Sequence, residues 1–310
     1  MSLFLGIDTS NYTTSVALYE NGRIIKNCKL PVFVRSGEKG VRQSDAVFSH
    51  TKNLPEVIAM LGKITPTAIG VSVRPRDVEG SYMPCFLSGY AVAASLASLY
   101  GLPLYTFSHQ AGHVRAALYS AGCDHLVNER LVAFHVSGGT TEMLLYDKGE
   151  ILCVGGTLDL NAGQLIDRIG VMMEMPFPCG KEMENTADFD AMKAEGLISK
   201  ATVNGLYCNL SGLENKASAY LKNGATKAAV SAFVLASVEK TLSKLTENAI
   251  DTYGKLPILF SGGVSSNRYL KKVLSKKFGA FFAEPEYSAD NAAGIAILCK
   301  ERYDECHKTN

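Results

Sequence analysis

Apolar residues are spaced along this chain so that strands come first and helices follow, twice over. Residues 7–25, IDTSNYTTSVALYENGRII, read as an apolar strand, a turn of small hydroxyl residues, a second strand and a tight turn at Glu20-Asn21-Gly22. Residues 134–152, FHVSGGTTEMLLYDKGEIL, read the same way, with the tight turn at Asp147-Lys148-Gly149. Aligned without a gap, Ser10, Thr13, Thr14, Leu18, Tyr19, Gly22 and Ile24 recur as Ser137, Thr140, Thr141, Leu145, Tyr146, Gly149 and Ile151. Agreement of strand, turn, strand and second turn points to a duplicated lobe. The offset from residue 7 to residue 134 is too long for a solenoid repeat.

After each repeat the periodicity changes. TKNLPEVIAMLGKI predicts a helix, AIGVSVRP a strand, GYAVAASLASLYG a helix, and PLYTF a strand leading into a further helix at HQAGH. In the second half, AVSAFVLASVEKTLSKLTENAIDTYG predicts a long amphipathic helix and PILFSGGV a buried strand entering a turn. The polar stretch 33–48, FVRSGEKGVRQSDAVF, reads as a surface loop or flap. The segment 155–170, GGTLDLNAGQLIDRIG, reads as a helix with Asp159 and Asp167 two turns apart and Gly163 between them. A glycine there costs about 1 kcal/mol against alanine, so something must approach it closely. The expected fold is α/β: a duplicated actin-like (ASKHA, ribonuclease H-like) architecture of two lobes, with a nucleotide in the cleft between them. The expected lobes are residues 1–125 and 126–310, the last helix from about residue 290 packing back on the first.

Bulk properties narrow the class. The chain has 310 residues, 47% hydrophobic and 20% charged, with a net charge of +1, so no global basic field advertises nucleic acid. A tRNA contact would need a local patch. RYLKKVLSKK, residues 268–277, offers Arg268, Lys271, Lys272, Lys276 and Lys277 as one, or as an ordinary solvated helix face. The eight cysteines are scattered without a CxxC pair and read as reduced core thiols. With no charged leader before MSLFLGIDTS and no apolar run of membrane-spanning length, a cytoplasmic protein with no membrane partner is expected.

Candidate chemistry sits at a few turns and helix starts. His109 and His113 in HQAGH are four apart, which puts both imidazoles on one helix face at the spacing of a metal-ligand pair. The alternative is that one histidine caps or packs and the other is solvated. Gln110 stands where a zinc protease carries its glutamate, which argues against that class. Asp290 and Asn291 open a late apolar helix; Asp290 reads as an N-cap or as a third ligand from a distant part of the chain. Glycine-bearing turns at Ser10-Asn11, Ser137-Gly138-Gly139 and Ser261-Gly262-Gly263 follow apolar strands and present backbone N–H groups suited to an anion, or are plain turns.

Taken in order, IDTS, HQAGH, VSGGTT, DLNAGQLID, FPCG, NLSGLENKA, SGGVSSN and SADNAAGIA resemble the motifs of the TsaD-type threonylcarbamoyltransferases, once labelled O-sialoglycoprotein endopeptidases. The resemblance implies transfer of threonylcarbamoyl from an adenylate to the N6 amine of the tRNA adenosine beside the anticodon. It implies one divalent metal ion on His109, His113 and Asp290: iron or zinc by ligand type, with magnesium as the remaining option. It implies an ATP, AMP or acyl-adenylate ligand on His135, Val136, Ser137, Gly138, Gly139, Asp167, Gly180 and Asn267. It also implies a homodimer or a complex with a shorter homologous subunit and a small ATPase. The departures cluster. Tyr12 and Thr13 stand where the family has an acidic pair, Thr140 replaces a histidine, and Arg74-Pro75-Arg76-Asp77 replaces a Gly-Pro-Gly turn. Gln164 replaces a glutamate and Glu214 a lysine. These changes keep open carbamoyl-type transfer to a small molecule or protein, or a non-catalytic partner subunit.

Overall fold

The computed structural model describes residues 2–10, 12–32 and 41–307. Two compact units emerge, residues 1–122 with 289–310, and residues 123–288. The first unit begins with antiparallel strands β1 (Leu3–Ser10), β2 (Thr13–Glu20) and β3 (Arg23–Pro31). Between β2 and β3, Asn21 and Gly22 both take positive φ (49° and 80°), as a two-residue hairpin of the type I′ kind requires. Then follow α1 (Gln43–Ala59), β4 (Ala68–Arg74), α2 (Phe86–Tyr100), β5 (Leu104–Ser108) and α3 (His109–Ser120). β4 and β5 run parallel to β1, giving the order β3-β2-β1-β4-β5.

The stretch expected as a loop needs correction. Residues 33–40 lie outside the described residues, but helix α1 already begins at Gln43, because Ala46, His50, Leu54 and Val57 form a buried stripe at helical spacing. Both faces of the sheet are covered. A Cβ on Gly89 of α2 would lie 2.7 Å from Thr9 Oγ1, whereas one on Gly6 would lie 2.5 Å from Ala292 O, just before the last helix. Successive strand residues point to opposite faces, so α2 covers one side of β1 and the last helix the other.

The second unit repeats the opening: β6 (Arg130–Val136), β7 (Thr141–Asp147) and β8 (Glu150–Thr157), with Lys148 and Gly149 at positive φ in the hairpin. Next come α4 (Ala162–Met172), α5 (Gly180–Thr186), α6 (Phe189–Ala194) and the two-residue strands β9 (Val203–Asn204) and β10 (Tyr207–Cys208). After α7 (Ser211–Lys222) and the long α8 (Lys227–Tyr253), β11 (Ile258–Ser261), α9 (Arg268–Phe278), β12 (Phe281–Phe282) and α10 (Pro285–Ser288) complete it. The last helix, α11 (Ala293–His307), belongs to the first unit.

The second sheet runs β12-β11-β6-β7-β8-β10-β9, and its stretch β8-β7-β6-β11-β12 has the topology of the whole first sheet. Even the register recurs, Val136 facing Thr141 as Thr9 faces Thr14. The fold is the duplicated α/β architecture the repeat implied. One element differs. β8 continues to Thr157 and α4 starts only at Ala162, so Asp159 is not on a helix with Asp167. Its carboxylate accepts from Leu210 N and Ser211 Oγ and so closes the start of α7. Burial tends to raise its pKa, but these hydrogen bonds hold it well below the usual carboxylate range. Among the described residues, no helix is long and apolar enough to cross a membrane.

Candidate functional site

Helix α3 starts where it does because Ser108 caps it. The Ser108 hydroxyl accepts from Ala111 N at 3.1 Å and donates to Asp77 Oδ2 at 2.6 Å. From that start His109 and His113 rise one turn apart, their rings edge-to-face with centroids 4.3 Å apart. Gly112 lies between them and lets α11 in. A Cβ on Gly294 of α11 would lie only 1.9 Å from Gly112 O, so the two backbones touch and no other residue fits. That contact carries Asp290 to the histidines. Its Oδ1 lies 3.5 Å from His109 Nε2 and 3.2 Å from His113 Nε2. Asp290 is therefore not the cap of α11; Asn291 Oδ1 is, accepting from Ala293 N at 3.0 Å.

Behind His109 stands a residue that the sequence reading missed. Asp8, fully buried in β1, places Oδ1 2.9 Å from His109 Nδ1 and accepts from Ser72 Oγ at 2.5 Å. The signal was present: a carboxylate inside the apolar strand LFLGIDTS needs a buried partner. Burial would lower the His109 pKa, but the carboxylates of Asp8 and Asp290 override it and push it up to about 10. Burial would raise the Asp8 pKa, and His109 holds it down. With Nδ1–H donated to Asp8, Nε2 is the nitrogen left for a metal.

The residues fit a metal ion. One ligand atom from each of His109, His113 and Asp290 falls within 4.8 Å of the others, the grouping that a single ion spans. Two imidazole nitrogens and one carboxylate oxygen suit iron(II) or zinc. Arg115 Nε, 2.8 Å from Glu301 Oε1, ties α3 to α11 further along both helices.

The second unit holds a cavity of about 440 Å³. Glycines let the turns in and around it approach one another closely. A Cβ on Gly163 would lie 2.5 Å from Gly138 Cα, and one on Gly262 (φ 95°) 2.3 Å from Val136 O. The partner expected for Gly163 is thus the Ser137–Gly138 turn of its own unit. Of the eight expected nucleotide residues, Gly138, Asp167, Gly180 and Asn267 line the cavity. His135, Val136, Ser137 and Gly139 are not on its wall. Val136 is core, Ser137 N donates to Thr140 O to close the turn, and His135 Nδ1 lies 3.2 Å from Ser261 Oγ. Asp167 accepts from Cys179 N at 2.8 Å, and burial nonetheless raises its pKa. Asn267 caps α9 through Leu270 N. Lys181, Glu184 and Ser266 also line the cavity and were missed, because the reading of FPCG stopped at Gly180 and that of SGGVSSN went straight to Asn267.

Residues 36–297 match the family model of tRNA N6-adenosine threonylcarbamoyltransferase, TsaD. The chain belongs to that family. It is thereby placed among enzymes of the transferase class. The tRNA N6-adenosine threonylcarbamoyltransferase of Methanopyrus kandleri is 28% identical over 305 residues, covering 94% of this chain and 85% of that protein. A probable bifunctional tRNA threonylcarbamoyladenosine biosynthesis protein of Thermoplasma volcanium is 26% identical, and this chain spans 55% of its length. Among solved structures, the ADPNP-bound activator of the 2-hydroxyisocaproyl-CoA dehydratase from Clostridium difficile superposes with a TM-score of 0.57 at 13% identity, covering 99% of this chain and 98% of that one. HypF of T. kodakarensis gives 0.61 at 13% identity over 99% of this chain and 48% of its own. These two likenesses show the actin-like fold.

The structure places the residues that the sequence singled out at these motifs. Thr13 opens β2 opposite Ser10, Tyr12 is 47% exposed, and Asn11 lies outside the described residues. Arg74, in the stretch that stands for the Gly-Pro-Gly turn, is paired within its own turn. Its guanidinium lies 2.6 Å from Asp77 Oδ1, and the same carboxylate holds Ser108, so this turn braces the start of α3. The basic helix is also partly neutralised: Arg268 pairs with Glu184, Lys271 with Glu284 and Lys277 with Glu247.

Proposed function

We propose that this enzyme transfers a threonylcarbamoyl group from threonylcarbamoyl-AMP to the N6 amine of the tRNA adenosine beside the anticodon, with a divalent ion on His109, His113 and Asp290. The observation that carries this reading is the convergence of those three side chains, with Asp8 fixing the ring of His109. A carbon–nitrogen bond forms between N6 and the carbamoyl carbon, the carbon–oxygen bond to phosphate breaks, AMP leaves with that electron pair, and the N6 proton goes to solvent or base. A bound ion supplies Lewis acidity toward a carbonyl oxygen. Gly138, Gly180 and the carboxylate of Asp167 hold the nucleotide, the glycines offering open backbone on the cavity wall, the carboxylate accepting ribose hydroxyls. The reading includes a cytoplasmic setting and a partner, either a second copy or a shorter homologue with a small ATPase. Two measurements test it: mass spectrometry of tRNA nucleosides from cells with and without the gene, and elemental analysis of chelator-free protein. One iron or zinc per chain, lost in His109→Ala, is expected; no stoichiometric metal in the wild type overturns the metal assignment.

A second reading keeps the adenylate chemistry and changes the acceptor. It is favoured by the neutral Tyr12–Thr13 pair and by the carboxylates that neutralise Arg268, Lys271 and Lys277. Transfer to a small molecule or protein, with no threonylcarbamoyladenosine lost from tRNA when the gene is deleted, would decide for it.

A further inference from the structure

A smaller cavity of about 250 Å³ lies within the first unit, where the start of α2 meets β4 and β5. Val73 of β4, Thr106 of β5, and Tyr82, Phe86, Leu87 and Tyr90 line it. Phe86 and Tyr90 stand one helical turn apart, and Tyr82 precedes them by four residues. Phe86 is 2% exposed, whereas Tyr82 and Tyr90 are 63% and 43% exposed. Aromatic surface left open to water around a concavity is characteristic of a place that a ligand covers.

Position adds to composition. The Phe86 ring lies 6.1 Å from the ring of His109, tilted by 52°. One side chain thus borders both the cavity and the metal-ligand cluster. None of the lining residues is charged, so a phosphate would find no cation there and an ammonium no carboxylate. A neutral flat ring suits the site better. It can stack on the tyrosines, and the hydroxyls of Tyr82, Tyr90 and Thr106 offer donors and acceptors to its nitrogens.

We propose that this cavity receives the heterocycle of the acceptor, an unpaired nucleobase stacked on Tyr82 and Tyr90 beside His109. An unpaired loop base has no partner to leave, and stacking on aromatic side chains is how such bases are held. The proposal rests on the transfer reading above and assigns the acceptor to residues outside the motifs that mark the family.

The fluorescence of 2-aminopurine, which falls when the base stacks, tests it. The base replaces the target adenine of an anticodon stem-loop, added to the full chain with AMP in excess to occupy the other cavity. The wild type should quench it saturably. Tyr82→Ala and Tyr90→Ala should each weaken the quenched complex by about fivefold or more, while Tyr90→Phe stays within about twofold of wild type. Leu99→Ala, exposed on the same helix outside the cavity, should bind as the wild type does. Equal quenching in the wild type and both alanine variants overturns the proposal, as does a stem-loop that binds by anisotropy without quenching. A stem-loop that does not bind at all removes the tRNA reading instead. Free 2-aminopurine riboside then decides for the cavity with the same variants: tyrosine-dependent quenching upholds it, and none overturns it.

Discussion

At the scale of single residues, Asp8 decides how His109 is used. A buried carboxylate on Nδ1 orients the ring and raises the basicity of Nε2, and removing such support costs a metal site about 10- to 100-fold in affinity. Asp8→Asn should therefore bind zinc that much more weakly in a chelator competition while retaining its circular dichroism; unchanged affinity would deny Asp8 this role. The same contacts set a pH dependence. In the metal-free protein His109 keeps its proton to about pH 10, so an ion taking Nε2 must displace it. Zinc affinity should rise by about tenfold per pH unit across neutrality, and a flat profile between pH 6.5 and 7.5 would show that no proton is released. The HxxxH spacing was legible in the sequence, since four residues make a helical turn. Asp8 was not read, because its partner lies 101 residues away.

At the scale of elements, the crossing of α3 and α11 holds the centre together. It depends on two glycines, Gly112 and Gly294, at which the backbones meet. Gly294→Ala forces a methyl against Gly112 O and should cost about 1–3 kcal/mol, with a lower melting temperature and a disproportionate loss of bound metal as Asp290 is pushed from the histidines. Gly139→Ala is the control: a Cβ there meets nothing within 4 Å, so stability should hardly change. Equal melting temperatures for the two variants would mean that the helices part easily. The elements themselves were mostly readable, down to the Asn21-Gly22 and Lys148-Gly149 hairpins, because turn chemistry is local. Two boundaries were not. Polar composition hid the start of α1, whose first buried residues, Ala46 and His50, are small or polar, and the double glycine at 155–156 looked helical although it extends β8.

At the scale of the whole molecule, the question is which acceptor this family member serves. Purified protein given threonylcarbamoyl-adenylate should consume it yet modify tRNA more slowly than about 1 per second without a partner. Replacing Tyr12 by Asp and Thr13 by Glu should raise transfer to tRNA, because carboxylates at that turn can take a proton that a phenol and a hydroxyl leave in place. A wild-type rate of about 1 per second or faster on tRNA alone would discard the changed-acceptor reading. The sequence by itself determined the duplicated lobes, the order of strands and helices, and the family, because hydrophobic period, turn residues and motif spacing are written in consecutive positions. Only the tertiary structure decided that Asp290 leaves the cap of α11 to Asn291 and approaches His113 from 177 residues away, that Arg74 pairs with Asp77, and that Gly163 meets the Ser137–Gly138 turn. Those facts depend on which backbones approach closely enough to touch, and close approach is settled by glycines and packing between distant segments, which no local pattern encodes.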